Sequence, residues 1–389
     1  MTIPLDLLSP ADRRRNLAAV IVSMTAGSLI YGMSAPLLSL VLDAQGVSEE
    51  LIGFSATAQA LIGVPLAPAF GYLIRAWGPA RPILLGLALS VLTYLLMPIR
   101  PDVWVWLPLR FLLSIAGGLM WITGEAWVNQ VALERSRGRV LALYSMALAA
   151  GGALGPIALT VTGTAGWVPF LAMAAITAAS AIPVLAVRRR VPAMGGTPAS
   201  GVFGYVRLAP VPILICGVYA VIDGIVMNFL PLWGLRLGLD AAHGLALLTI
   251  MSIGGIAGQL PSGWLADHVE RQLLVVIAVV VLIAGAAAMP FVVADPLAGA
   301  LVFFAFGAVR GGLYTVGMAI LGARFQGADL ASASAAFGVF WGLGMVAGPL
   351  VGGVALEWAP ETGPAVAIGA LLIAFLPVAA GPILRRRRA

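Results

Sequence analysis

The sequence predicts an all-α membrane protein whose twelve transmembrane helices form two pseudo-symmetric six-helix bundles. Three observations carry that expectation. Hydrophobic residues make up 61% of the chain and charged residues 10%, with a mean hydropathy of +1.03, so most of the 389 residues cannot be the surface of a water-soluble protein. Apolar segments of roughly 20 residues, long enough to cross about 30 Å of hydrocarbon, follow one another from near Leu17 almost to the C-terminus. Short stretches of the first half also recur in the second at nearly one offset.

Taken in order, the spans fall at 17–42, 51–74, 82–99, 104–132, 139–161 and 166–187, then at 209–233, 244–266, 273–294, 297–322, 331–355 and 363–384. Several contain Gly or Pro, which a membrane helix tolerates where packed neighbours satisfy the freed backbone. Arg13, Arg14 and Arg15 precede the first span, and Asp43, Glu49 and Glu50 separate it from the second. Arg75 and Arg81 flank the next loop, Arg100 and Asp102 the one after, and Arg135, Arg137 and Arg139 the fourth. The basic connector RRRVPAMGGTPASGVFGYVR (188–207) divides the chain into a bundle at 1–187, a cytoplasmic linker at 188–208 and a bundle at 209–389. Beyond it, successive loops carry Arg236 with Asp240, Arg271, Asp295, Arg324, and Glu357 with Glu361. All 22 basic residues are Arg, and eighteen of them lie in the N-terminus, the even-numbered loops or the C-terminus. Basic residues are retained on the cytoplasmic side, so a multi-pass protein of the inner membrane with both termini in the cytoplasm is expected.

The net charge of +6 does not point to nucleic acid, because the arginines are dispersed over separate loops where they serve orientation and contact with anionic lipid. The first apolar run is far longer than the h-region of a signal peptide, so an uncleaved first span is expected. Cys216 is the single cysteine, and the two histidines, His243 and His268, fall in loops on opposite faces. Metal or thiol chemistry has almost nothing to work with, and no cofactor is expected.

The repeat is read from three matches. Pro68 corresponds to Pro261 at an offset of 193, Gly117-Gly118-Leu119 to Gly311-Gly312-Leu313 at 194, and Gly155-Pro156 to Gly348-Pro349 at 193. A duplicated six-helix unit follows. In the eleventh span, Gly344, Gly348, Pro349, Gly352 and Gly353 form a pattern that resembles the glycine-proline motif of the major facilitator superfamily, found notably in its antiporters. Span five keeps Gly151, Gly155 and Pro156 but carries Leu159 and Thr160 in place of the last glycines. The loop GWLADHVERQ (263–272) resembles that superfamily's G-x-L-x-D-R-x-G-R-R loop, retaining Gly263, Leu265, Asp267 and Arg271. The equivalent loop after span two has Arg75 in the Asp position, where a cation cannot use the positive end of a helix dipole. The resemblance implies a cytoplasmic gate formed by Asp267 with Arg324, and an N-terminal counterpart that is missing or rebuilt with Glu134. Residues 110–144, with Arg110, a Gly pair, Glu-x-Trp and Arg-Gly-Arg, resemble one bacterial branch of these permeases whose members mostly lack an assigned substrate. The fold implied is that of the superfamily, in which spans one, four, seven and ten line the central cavity.

Four ionisable residues fall inside spans: Arg110 and Glu125 in the fourth, Asp223 in the seventh and Arg310 in the tenth. Charge at bilayer depth is costly, so such residues face water or a partner. Asp223 stands about 14 residues into its span, roughly 21 Å at 1.5 Å per residue. Arg310 is comparably deep, and the two are within reach of each other. Tyr219 lies four residues before Asp223 and Tyr314 four after Arg310, which puts a phenol on each charged face. Arg310 is expected either to hold Asp223 ionised or to receive an anionic group of the cargo; a permanently locked structural pair is the alternative. Glu125 shares a face with Trp121 and Asn129 and is a candidate proton carrier, or else a fixed contact of Arg137 or Arg139. Arg110, about five residues from the outer end, is able to snorkel or to serve the substrate. Tyr31, Gln59 and Asn228 complete the cavity candidates.

The function these features imply is secondary active transport of a small organic molecule by alternating access, coupled to protons and leaning to export by antiport. Uptake or facilitated passage of an organic anion or sugar is the alternative within that class, and a non-transporting permease-like sensor or assembly factor the alternative outside it. There is no phosphate-binding Gly-x4-Gly-Lys loop, nor any Lys, so ATP is not the energy source. No Ser-His-Asp set or paired histidines support an enzyme. The expected partners are the bilayer, an organic substrate and protons, with a single chain as the functional unit.

Overall fold

Ser9 starts the first helix. Its hydroxyl accepts from the Asp12 N–H at 3.1 Å, and Pro10 occupies the first turn, where no backbone donor is needed, so helix α1 runs Pro10–Ala44. The computed structural model describes residues 2–3, 8–61, 63–133, 136–192, 202–325 and 327–386. The first half continues with α2 (Glu49–Leu61), α3 (Gly63–Trp77), α4 (Ala80–Leu96), α5 (Val103–Val131), α6 (Arg137–Thr162) and α7 (Val168–Val187). The second contains a short α8 (Val202–Leu208), then α9 (Pro210–Arg236), α10 (Ala241–His268), α11 (Arg271–Val292), α12 (Pro296–Arg324), α13 (Gly327–Trp358) and α14 (Gly363–Arg386). Three of the loop aspartates turn out to be helix caps. Asp102, Asp240 and Asp295 accept from the first backbone N–H groups of α5, α10 and α12 at 2.7–3.2 Å.

Among the described residues, eleven helices are long and apolar enough to cross a membrane. The expected second span, 51–74, is described as α2 and α3 on either side of Ile62, which lies outside the described residues. Among the described residues the strand content is one two-residue parallel pairing of Thr2–Ile3 with Val191–Pro192, and a 3₁₀ turn, Met97–Ile99, follows α4. Glu134, Arg135 and much of the connector lie outside the described residues, so the rebuilt N-terminal latch does too.

By its contacts the chain divides into two units, residues 1–45 with 58–198 and residues 46–57 with 199–389. The division falls within the basic connector, and residues 46–57 group with the second unit.

In the first unit α1 packs along α6, and small residues decide how closely. A Cβ at Gly151 or Gly155 would collide with the backbone of α1 at Thr25 or Gly32, so only glycine permits this approach. Ser28 Oγ donates across the same contact to Leu148 O at 2.7 Å. Asn16 ties the start of α1 to α5 and to the residues after α7. It is fully buried, donates to Asp12 O at 2.8 Å and Arg190 O at 2.9 Å, and accepts from Trp127 Nε1 at 3.1 Å. Above it Val20, Met24, Ile83, Leu87, Trp127 and Val131 fill the interior.

The second unit repeats the pairing. Helix α9 packs along α13 as α1 does along α6, and α11 packs on α14 as α4 does on α7. At the α9–α13 contact a Cβ on Gly344 would stand 2.6 Å from Gly217 O, and one on Gly348 2.6 Å from Val221 O. Gly352 meets the Phe229 ring, and Gly353 meets Glu49 and Gly53 of α2. The glycine-proline motif is therefore a packing surface with two faces, one for α9 and one for the start of α2.

Candidate functional site

Arg310 sits in α12 where glycines at 307, 311 and 312 bring α10 close, and its side chain turns toward α9. Its Nη1 donates to Asp223 Oδ1 at 2.8 Å. Both side chains are sealed, at 5% and 9% exposure, so the pair is matched at a depth where either charge alone would be expensive. The guanidinium carbon lies 4.2 Å from the centroid of the Tyr219 ring, a cation–π contact that covers one face of the guanidinium. Tyr219 in turn stacks on Trp341 of α13, with centroids 5.4 Å apart, and meets Tyr314 at 5.2 Å. Phe337 closes the cluster against Tyr314 at 5.4 Å. Asp223, Arg310, Tyr219 and Tyr314 are thus brought together as their spacing implies. Trp341 was not singled out in the sequence, although Phe337 and Trp341 stand at i,i+4 one turn before Gly344, a signal that was there to be used.

The first unit carries a second polar locus. A cavity of about 150 Å³ is lined by Tyr31 and Ser34 of α1, Gln59 of α2, Ser90 and Tyr94 of α4, and Trp121 of α5, among others. Tyr31 and Trp121 are thus cavity residues. Arg110 departs from expectation. Rather than snorkelling to the outer interface it is buried, at 1% exposure, and reaches only Gln59 Oε1, at 3.4 Å. Packing of α5 against α3 and α4 encloses it. Tyr94 is the lining residue missed in the sequence; Ser90 and Tyr94, at i,i+4 in an otherwise apolar helix, were its signal.

Of the remaining candidates, Glu125 adjoins the first-unit cavity through its hydrogen bond with Trp121, and the others stand apart from both loci. Asn228 is buried, but its Nδ2 donates to Gly224 O of its own helix at 2.8 Å, so its donor is spent on backbone. Glu125 is exposed on α5 and, among the described residues, forms no ion pair with Arg137 or Arg139. At the C-terminal end of α10 the expected Asp267–Arg324 pair is not formed. Asp267 is exposed and pairs with Arg271 at 3.9 Å, while Arg324 lies over the Phe325 ring, 6.0 Å from its centroid. Arg271 opens α11 one turn beyond Asp267 and is held there by Ala266 O and Ala319 O, at 3.0 and 3.1 Å. Proximity along the chain wins over the more distant Arg324. Gly263 faces Thr315 of α12 at ordinary contact distance.

At the opposite end of the second unit, Glu49 accepts from Arg236 Nε at 2.5 Å, and its backbone N–H donates to Glu357 at 2.8 Å. Trp358 Nε1 donates to Glu50 at 2.9 Å. Burial pushes the Glu49 carboxyl up, but hydrogen bonds involving Glu357 and the Arg236 guanidinium outweigh it and hold the group below its ordinary value of 4.5. This cluster fastens the start of α2 to the ends of α9 and α13.

Long apolar helices in a repeated pairing scheme, with ionisable residues matched or buried inside them, define a multi-pass membrane transport protein. The sequence profile of the Major Facilitator Superfamily matches residues 17–309 and 244–389, and the chain belongs to that superfamily of transporters, which are not enzymes. Its relatives include YfkF of Bacillus subtilis, an uncharacterized MFS-type transporter 25% identical over 351 residues, which cover 86% of this chain and 87% of that protein. An uncharacterized MFS-type transporter of Yersinia pestis is 29% identical over 252 residues, 64% of each chain. Among solved structures, the nucleoside transporter NupG superimposes with a TM-score of 0.74 at 12% identity, over 97% of this chain and 99% of that one. A bacterial homologue of the human lysosomal transporter Spinster, inward-facing and unoccupied, gives 0.68 at 15% identity over 96% of each. At these identities the structural likeness concerns the fold.

Proposed function

We propose that this chain is a proton-coupled secondary transporter of the cytoplasmic membrane, with both termini in the cytoplasm, that exports a small organic molecule by alternating access and antiport. The observation that carries the reading is the buried Arg310–Asp223 pair roofed by Tyr219. A carboxylate held by one guanidinium accepts a proton only as that contact loosens, and a guanidinium released from its carboxylate seeks another anionic or hydrogen-bonding group. Proton and cargo therefore act on one charge balance, which is what reciprocal coupling between two ligands requires. The aromatic cluster of Tyr219, Tyr314, Phe337 and Trp341 supplies a rigid apolar wall beside it. The assignment to export draws on the complete glycine-proline motif of α13, whose tight seat on α9 joins the helix that carries Asp223 to its neighbour.

The test is proton movement in proteoliposomes. A solute that stabilises the purified protein in a thermal-shift screen is placed on one side and the lumenal pH followed. The wild type should move protons opposite to the solute, and Asp223→Asn should abolish that proton movement by at least tenfold while solute exchange persists. Undiminished proton movement in Asp223→Asn would remove Asp223 from the coupling.

A further inference from the structure

The two membrane-embedded arginines differ in what they face. Arg310 has Asp223, whereas Arg110, equally sealed, has no carboxylate within ion-pairing distance among the described residues. Its Nη1 reaches a neutral amide oxygen at a long 3.4 Å, and its Nε and Nη2 have no hydrogen-bond partner among the described residues. Those two nitrogens share one edge of the guanidinium plane, the edge whose parallel N–H bonds fit a carboxylate in two-point contact. Arginine does not shed its charge to escape such a position. A chain that only needed a filled core would do better with an apolar side chain there, since an unmatched buried cation is destabilising.

Two side chains that interact with Arg110 belong to the wall of the first unit's cavity. Gln59 accepts its hydrogen bond, Tyr94 interacts with it electrostatically, and both line the space of about 150 Å³. Among the described residues no Asp or Glu lines that space, while Tyr31, Ser34, Ser90 and Trp121 bring hydroxyls and an indole to its wall. A cavity of about this size accommodates a single six-membered ring. Arg110 places a positive charge behind the Gln59 and Tyr94 side of the wall, Glu125 adjoins the wall at Trp121, the lining itself combines apolar side chains with uncharged polar ones, and the volume is small.

We propose that this cavity binds a small organic monoanion, a carboxylate of about the size of benzoate, whose charged group replaces Gln59 on Arg110 and engages the Nε–Nη2 edge once the Gln59 and Tyr94 side chains rotate aside. The inference rests on the transporter reading and specifies the charge of its cargo. The experiment measures binding and leaves coupling out, so that the two stand or fall separately. Purified protein in detergent is titrated with benzoate and hexanoate and with their uncharged counterparts, benzamide and hexanamide, at one ionic strength, following the unfolding temperature and calorimetric affinity.

At least one carboxylate should raise the unfolding temperature and bind at least tenfold more tightly than its amide. Arg110→Gln should erase that preference, and Arg110→Lys, which keeps the charge but loses the two-point edge, should weaken carboxylate binding about tenfold. Gly338→Ala, at an α13 position where an added Cβ meets nothing within 4 Å, should leave the preference intact. Without ligand, Arg110→Gln should unfold no earlier than the wild type, which separates a ligand-directed cation from a structural one. Carboxylates that bind no better than their amides, a preference that survives Arg110→Gln, or a ligand-free Arg110→Gln protein that unfolds several degrees early would each overturn the proposal. Should Arg110→Gln fail to fold, the Arg110→Lys titration decides.

Discussion

Asp223 and Arg310 form one contact, but the two ends of it respond differently to loss. Removing the carboxylate leaves a guanidinium that cannot discharge, whereas removing the guanidinium leaves a carboxylate able to take a proton and become neutral. Asp223→Asn should therefore destabilise the protein by about 3–5 kcal/mol, Arg310→Gln by clearly less, and the double variant by less than the sum of both, as read from thermal unfolding. Equal single effects that add would mean that the pair is not a coupled unit. Glu49 makes the complementary case outside the apolar spans. Its carboxyl is held below 4.5, so the stability contributed by its contact with Arg236 is present above that value and is lost as the pH falls through the lower folded value. Glu49→Gln should flatten that acid limb of the unfolding profile, and a profile unchanged by the substitution would show that other carboxylates set it. At this scale the sequence already displayed which residues were charged at depth. Nothing in it indicated that Arg110 would be enclosed at 1% exposure, because that depends on the packing of α3 and α4 around α5 rather than on its distance from a helix end.

At the scale of elements, the approach of α13 to α9 and of α6 to α1 depends on missing side chains. A Cβ at Gly348 meets a backbone carbonyl at 2.6 Å, and a carbonyl cannot rotate away as a flexible side chain does. Gly348→Ala should accordingly cost about 1–3 kcal/mol through forced separation of the helices, and Gly155→Ala, facing Gly32 of α1, a comparable amount. Gly338→Ala in the same α13, where a Cβ meets nothing within 4 Å, is the control and should be neutral or slightly stabilising. Similar unfolding temperatures for all three would show that the contact can relax. The spacing of the glycines was legible in the chain, as was their use in close helix contact. Their second face, the seating of Gly353 against Glu49 and Gly53, was not, since those residues lie some three hundred positions away.

At the scale of the whole molecule, the proposed antiport, with one inward proton exchanged for one outward monoanion, would transfer two positive charge equivalents inward per cycle. A potential of 100 mV then contributes about 4.6 kcal/mol, at roughly 2.3 kcal/mol per charge. A potassium diffusion potential that is negative on the cargo's side should accelerate efflux several-fold in proteoliposomes, and dissipating it should slow efflux; rates indifferent to potential would contradict this stoichiometry. Composition and span length by themselves determined that the chain is a membrane protein of repeated helices, because the need to hide backbone polar groups from lipid leaves an apolar 20-residue segment little choice but helix. The chain likewise announced, through residues at 193–194 positions' offset, that its halves are related. Only the tertiary structure decided which charges are matched and which are merely enclosed. It paired Arg310 with Asp223 and Asp267 with Arg271, and gave Arg110 an amide in place of a carboxylate. The reason is physical: burial is set by local composition, but a charge's partner is set by how helices distant in the chain are rotated about their axes, and a rotation of one residue's worth moves a side chain from its partner to another face.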